Sequence, residues 1–288
     1  MTKLGSVKVG GINPVRIMGI LKTSPESFFK KSIKTSKQHI ANTVKKMEDE
    51  GADFIDVGGM STAPYLSTLV SEKVETTRIL EAVKIIQNVS NLPISVDTCR
   101  SSVALAALEN GVDVINDISG LKYDPQMINV VCKHHPSLIL CAYSSKMAHG
   151  NQVITTRNLL QDSITLAKKA KISSTKIVLD PAIGFFRNSG RNPFFTKIGS
   201  DWINRDLLVI RNIKFLKQNY PIMVSVSNKS FIGKLLNKSD PSDRLFGSLA
   251  AETVCVLNGA DIIRTHNVSE TRDATKIASL LSRSHKGL

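Results

Sequence analysis

A chain of 288 residues that is 42% hydrophobic and 22% charged has the make-up of a soluble globular protein, and no apolar run reaches the roughly 20 residues needed to span a bilayer. Its formal charge of +14 attracts anions. The lysines are spread over many segments and aromatic residues are only 5%, too few for base stacking, so nucleic acid is not an expected partner. Four scattered cysteines (Cys99, Cys132, Cys141, Cys255) show no paired spacing for zinc, redox work or disulfides. The N-terminus lacks the apolar segment of a signal peptide, so a cytoplasmic protein without membrane association is expected.

In chain order, "VKVGGINPV" reads first, as a hairpin with a Gly10-Gly11 turn that covers one end of the fold. Eight strand-like runs follow: "VRIMGIL", "ADFIDVG", "PISVDT", "VDVINDIS", "SLILCAYS", "TKIVLDPAI", "IMVSVSN" and "DIIRTH". Between them lie helical patterns. Ile40, Val44 and Met47 share a face, as do Ile79, Val83 and Ile86, then Leu160, Ile164 and Ala167, and later Leu245, Leu249 and Val256. Ser71 suits an N-cap, and Gly111 and Gly259 stand where helices stop. Strict alternation argues for parallel pairing, and eight units argue for closure into one (β/α)8 TIM barrel over residues 1–288. A doubly wound open sheet is the rival, but no "GxGxxG" follows the first strand. The long irregular pieces "TSPESFFKKSIKTS" and "GFFRNSGRNPFFTKIGS" both follow strands, where a barrel keeps its working loops.

Each strand begins apolar and ends polar. The ends carry "SPES", then Asp56 with Ser61 and Thr62, Asp97-Thr98, Asn116-Asp117, Tyr143-Ser144, Asp180, Asn228-Lys229-Ser230, and Arg264 with His266. Such clustering describes one mouth lined from all directions. Asp97, Asn116 and Asp180 suit a flat heterocycle rich in N–H donors, and Lys229, Arg264 and His266 on the last two strands suit a phosphate or diphosphate. A single strand-end Asp would more often be a loop acceptor, and a lone Arg or Lys a surface charge.

Taken together, "MGILKTSPESF", "DVGGMSTAP", "ISVDT", "INDISG", "LDPAIGF", "NKSFIG", "GSLAAE" and "IIRTHNV" resemble the ordered motifs of the dihydropteroate synthase family over nearly the whole chain. The resemblance implies a transferase that joins 6-hydroxymethyl-7,8-dihydropterin diphosphate to an arylamine, releasing pyrophosphate. It implies that Asp97, Asn116, Asp180 and Lys229 hold the pterin. By the same resemblance Lys22, Ser61, Thr62, Phe185, Ser230, Arg264 and His266 would serve the diphosphate and arylamine, with Asp97, Lys229, Arg264 and His266 as the catalytic set. Positioning and electrostatics, not a nucleophilic residue, would drive the reaction. The glycines and hydroxyls of "GGMST" would open the backbone to an anionic group and to the incoming amine. A homodimer built on barrel helices is also implied.

Several positions depart from the family. Lys22 stands where the family has an Asn that ligates magnesium, so its ammonium is expected to replace part of the metal's charge. Met60 and Ala63 replace a Glu and an Arg, Asn228 an Arg, and Asn267 an Asp, while "AYSSKMAHG" replaces a Met-His-Met type stretch. These changes leave two arylamines open: p-aminobenzoate, or a ribofuranosyl-aminobenzene phosphate of the methanopterin branch whose phosphate would meet Lys146, Arg187 and Lys197. A pterin-binding protein without synthase activity, whether a silent paralogue or a methyltransferase-type domain, is the alternative function. Trp202 reads as a packing residue, His134 and His135 receive no role, and His149 follows the fifth strand within reach of the mouth.

Overall fold

The structure, a computed structural model, describes residues 1–23, 33–65 and 69–282, with side chains described from residue 37 onward in the first helix. The "SPES" run after the first barrel strand lies outside the described residues. An antiparallel pair, β1 (Thr2–Leu4) and β2 (Val7–Val9), precedes the barrel strand β3 (Arg16–Lys22). The barrel continues through β4 (Phe54–Gly58), β5 (Ile94–Asp97), β6 (Val114–Asp117), β7 (Ser137–Cys141) and β8 (Ile177–Asp180). A two-pair annex, β9 (Phe186–Arg187) and β10 (Thr196–Lys197), precedes the last barrel strands β11 (Met223–Val224) and β12 (Ile262–Thr265). The helices are α1 (Ile33–Asp49), α2 (Glu72–Val89), α3 (Ser101–Glu109), α4 (Met127–His134), α5 (Gln152–Lys169), α6 (Trp202–Arg211), α7 (Ile213–Leu216), α8 (Ser230–Leu235), α9 (Leu245–Leu257) and α10 (Val268–Ser282).

All eight barrel strands run parallel in the order β11-β12-β3-β4-β5-β6-β7-β8, and a parallel bridge between Leu179 and Ile222 joins the two ends. That closure rules out the doubly wound sheet. Side chains alternate along a strand with a period of two, so inward positions stack in layers. Met18, Phe54, Val114, Ile139, Val178, Met223 and Ile262 form a fully buried floor, sealed from below by Leu4 and Val9 of the hairpin. The outward-facing positions pack on helices that carry Val44, Ile79, Ile86, Leu160 and Ile164.

Two local readings are corrected. The hairpin turn is Gly5-Ser6, since Leu4 pairs with Val7, and Gly10-Gly11 follow β2. Gly5 has φ +52°, the sign required at the first central position of a II′ turn, whose twist matches the flanking strands. On α9 the buried face is Ser248, Glu252, Cys255 and Val256, with Leu245 and Leu249 only half-buried. A buried carboxyl occupies a position that hydrophobic periodicity assigns to leucine. Its compensation is a hydrogen bond from Thr271 Oγ1 to Glu252 Oε2 at 2.8 Å.

Candidate active site

The layer above the floor holds the chemistry, because each floor residue is followed two positions later by a side chain that points into the mouth. Phe54 leads to Asp56, Val114 to Asn116, Val178 to Asp180, Met223 to Ser225 and Ile262 to Arg264. Arg264 sits at the centre. Its Nε donates to Asp56 Oδ2 at 2.6 Å and its NH2 to Asp97 Oδ2 at 2.9 Å. Asn116 Nδ2 approaches both oxygens of Asp56 at 3.4 and 3.3 Å. Asp180 Oδ1 accepts from the Ala182 amide at 2.7 Å.

Burial in this layer works against charge, and the couplings decide which groups keep it. The carboxyl of Asp97 is pushed up to about 7, first by desolvation, with Arg264 opposing and Asp56 and Glu75 reinforcing the rise. Asp180 is raised for the same first reason, with the Ala182 amide and Lys229 opposing. Arg264 is raised above its ordinary value, as Asp56 and Asp97 outweigh its own burial. The guanidinium therefore stays charged and locks two strands together.

The cationic wall rises beside this floor. Lys229 Nζ lies 4.1 Å from the centre of the Phe185 ring, and burial and Arg264 bring its ammonium down to about 8. His266 Nδ1 is 3.1 Å from Ser227 Oγ, which also receives the His266 amide. Its buried Nε2 has no partner among the described residues. Burial, Lys22, Arg264 and Lys229 bring the imidazole down to about 3, so it is neutral at pH 7. Lys22, at the end of β3, is held below the ordinary lysine value by desolvation and by Arg264.

These groups converge on one cavity of about 210 Å³, where Lys22, Ser61, Thr62, Asp97, Phe185, Lys229, Ser230, Arg264 and His266 all contribute to the wall. Asn116 and Asp180 lie beneath it, joined through Asp56 and the Ala182 turn. Asp56, which the sequence reading counted among the polar strand ends without assigning it a ligand, belongs to the site as the partner of Arg264. Its signal was the period of two shared with Asn116 and Asp180. Pro64 and Tyr65 also line the cavity, and their segment is held from the β8 side by Asn192 Nδ2 on Ala63 O (2.8 Å) and the Arg191 amide on Pro64 O (2.7 Å).

Other expectations resolve differently. A Cβ on Gly58 would make ordinary contacts, 3.7 Å from Met60 O and 3.9 Å from Asp97 Cβ, but one on Gly59 would stand 2.8 Å from Glu75 Cγ. That glycine serves packing on α2, not approach to an anion. Arg187 is buried, its guanidinium 3.7 Å from the Trp202 ring centre, 2.9 Å from Ser230 Oγ and 3.5 Å from Asp206. Trp202 both packs on the core and stacks this arginine. Arg187, like the exposed Lys146 and Lys197, does not line the cavity. Asp117 turns away from the mouth to fasten its own loop, accepting from the amides of Ser119 and Leu121 at 2.7 and 2.8 Å. His149 is exposed and His135 caps α4 with φ +48°.

Comparison with known proteins agrees with this geometry. The family described as pterin binding enzyme matches residues 18–266. The chain is 32% identical to a dihydropteroate synthase of Synechocystis sp., covering 93% of this chain and 90% of the relative. It is 33% identical to that of Clostridium beijerinckii, over 98% and 99%. A crystal structure of dihydropteroate synthase from Clostridium difficile, obtained in the presence of pteroic acid, superimposes with a TM-score of 0.85 at 31% identity, covering 99% of this chain and 100% of that one.

Proposed function

The chain belongs to the pterin-binding enzyme family, as a transferase that condenses a pterin diphosphate with p-aminobenzoate in folate biosynthesis, and from that premise we propose which groups of its barrel mouth do the work. The observation that carries the assignment is the Arg264 clamp on Asp56 and Asp97 beside Asn116 and Asp180. A flat heterocycle with an amino group and ring N–H groups on one edge finds two carboxylates and a side-chain amide there. Arg264 keeps Asp97 oriented as an acceptor, and Lys229 closes the remaining side.

Above the pterin, Lys22, Thr62, His266 and the outer face of Arg264 receive the diphosphate. With Ser227 beside Nδ1, the neutral imidazole presents Nε2 as a hydrogen-bond donor. As the methylene–oxygen bond breaks, its electron pair leaves with pyrophosphate and the pterin stabilises the methylene cation. The positive charges of Lys22 and Arg264 and the hydrogen-bond donors of Thr62 and His266 stabilise the charge that develops on the leaving oxygen. The amine nitrogen, bordered by Phe185, Lys229 and Ser230, then forms the new carbon–nitrogen bond and loses its proton to solvent. The favoured acceptor is p-aminobenzoate, since Lys146, Arg187 and Lys197, the groups that a phosphorylated arylamine would need, do not line the cavity.

Magnesium does not fit the described donor set. The carboxylates of the mouth are engaged by Arg264 or by a backbone amide, and the wall facing the diphosphate is cationic. Among the described residues no three His, Cys, Asp or Glu side chains gather as ligands. Lys22 takes over the counter-charge on this reading. Calorimetric titration with the pterin diphosphate in excess chelator tests the assignment: wild type binds, Lys22→Ala weakens binding, and Asp180→Asn loses it. Binding that needs added magnesium, or that survives Asp180→Asn, contradicts it.

The finer assembly belongs to the same reading. Phe246, Ala250, Val254 and Leu257 form an exposed stripe on α9, and Ile277, Leu280 and Leu281 are exposed on the adjoining α10. A second copy of the chain covers this face, giving a homodimer. A cytoplasmic location is consistent with four free cysteines.

A further inference from the structure

Behind the mouth, on the side away from the substrates, lies a buried carboxylate that the mechanism above does not use. Glu75, in the first turn of α2, has no solvent exposure. Thr98 Oγ1 donates to its Oε1 at 2.8 Å and Arg100 NH1 to its Oε2 at 2.7 Å. Thr98 is the residue after Asp97, and its amide is held by Asn116 O at 3.1 Å. Arg100 NH1 also reaches Val70 O at 2.9 Å.

The same helix grips the other end of the segment that carries Ser61, Thr62 and Pro64. Arg78 NH1 donates to Gly59 O at 3.0 Å, and Gly59 rests against Glu75 so closely that a Cβ would stand 3.0 Å from the Glu75 carbonyl oxygen. One side chain therefore touches the backbone that enters the loop at Gly59, the cation that fixes the loop's exit at Val70, and the strand end that presents Asp97. We propose that Glu75 is a positioning residue that sets both the loop bearing Ser61 and Thr62 and the orientation and charge state of Asp97. The inference rests on the assignment of Asp97 to the pterin given above.

The electrostatics run in the same direction. Asp97 is faced by Arg264 and Lys229, which favour its ionised form, and by Asp56 and Glu75, which disfavour it. Replacing Glu75 by a neutral isostere removes one of the two opposing carboxylates. Because Asp97 accepts from the pterin as a carboxylate, kcat/KM rises with pH as that group ionises. Loss of the Glu75 charge moves the rise to lower pH. A residue that only stabilised the fold would lower the amount of active enzyme and leave the pH profile in place.

The experiment compares wild type, Glu75→Gln and Arg78→Met in pyrophosphate release across pH 5–9, with pterin diphosphate varied at saturating p-aminobenzoate. Glu75→Gln is expected to lose kcat/KM on the order of tenfold to a hundredfold and to move the acidic limb to lower pH. Burial raises the Glu75 carboxyl, and the Thr98 hydrogen bond and Arg100 oppose that rise; Arg78→Met leaves both of those partners in place and removes only the hold on Gly59 O, so it is expected to lose kcat/KM without moving the limb. An unmoved limb in Glu75→Gln, or kcat/KM equal to wild type, overturns the inference. If Glu75→Gln does not fold, Arg100→Gln carries the test through limited proteolysis, with faster cleavage within residues 59–70 expected and unchanged cleavage overturning the inference. No turnover by wild type at any pH would instead count against the functional assignment itself.

Discussion

At the scale of single residues, the decisive feature is that charge in the mouth is buried in matched sets. Arg264 shares its guanidinium between a carboxylate with no exposure and one that is 17% exposed. Such a pair adds little net stability when intact, but breaking it leaves an uncompensated charge. Arg264→Met should therefore cost about 3–5 kcal/mol of folding stability in urea denaturation, over and above its loss of activity, because Asp56 remains behind it. A stability equal to wild type would mean that Asp56 finds another partner. Asp56 also marks where sequence reading fell short. Asp56, Asn116 and Asp180 were all legible as polar ends of apolar strands, but the part Asp56 plays as partner of Arg264 is set by a contact 208 residues away and cannot be read from "FIDVG".

Elements explain what periodicity missed. The eight strands and most helix faces were legible because burial on both sides of a parallel strand demands continuous apolar runs, and helices that cover the barrel need one apolar stripe. On α9 that logic fails, since Glu252 sits on the inner face beside Thr271 and Thr265. The carboxyl is pushed up from 4.5 to about 7 by burial, with the threonine hydrogen bonds opposing. Native chain therefore keeps a proton that unfolded chain releases. Its stabilising contribution is fully present below about pH 4.5 and is lost as pH rises toward 7, at up to about 1.4 kcal/mol per pH unit. Glu252→Gln preserves an acceptor for Thr271 and cannot ionise. The difference between variant and wild-type urea midpoints should grow in the variant's favour across that interval, and a constant difference would show that Glu252 does not titrate there. Loop readings failed for a related reason. Arg187 reads as a free cation in "GFFRNSG", but β9 and β10 fold it back under Trp202 and Asp206, a placement that depends on contacts distant in sequence.

On the scale of the whole molecule, a net charge of +14 and a cationic wall beside an acidic floor suit a substrate that is a polyanion at one end and a donor-rich heterocycle at the other. The basic field draws the diphosphate in, and the floor orients the ring. Assembly is a separate property. If the α9 and α10 stripe is the subunit interface, Val254→Glu should convert a dimer to a monomer in sedimentation velocity, with the circular dichroism spectrum unchanged; an unchanged sedimentation coefficient would place the interface elsewhere. Overall charge and composition pointed to anionic small molecules from the start. The choice between two arylamines was beyond them, because it rests on which lysines and arginines reach the cavity.

The most direct measurement is pyrophosphate release by the purified protein from 6-hydroxymethyl-7,8-dihydropterin diphosphate, with p-aminobenzoate present or withheld. Release that requires both compounds, accompanied by formation of dihydropteroate, is the expected result. Tight pterin binding with no release in the presence of p-aminobenzoate would contradict it and leave the barrel a binding protein.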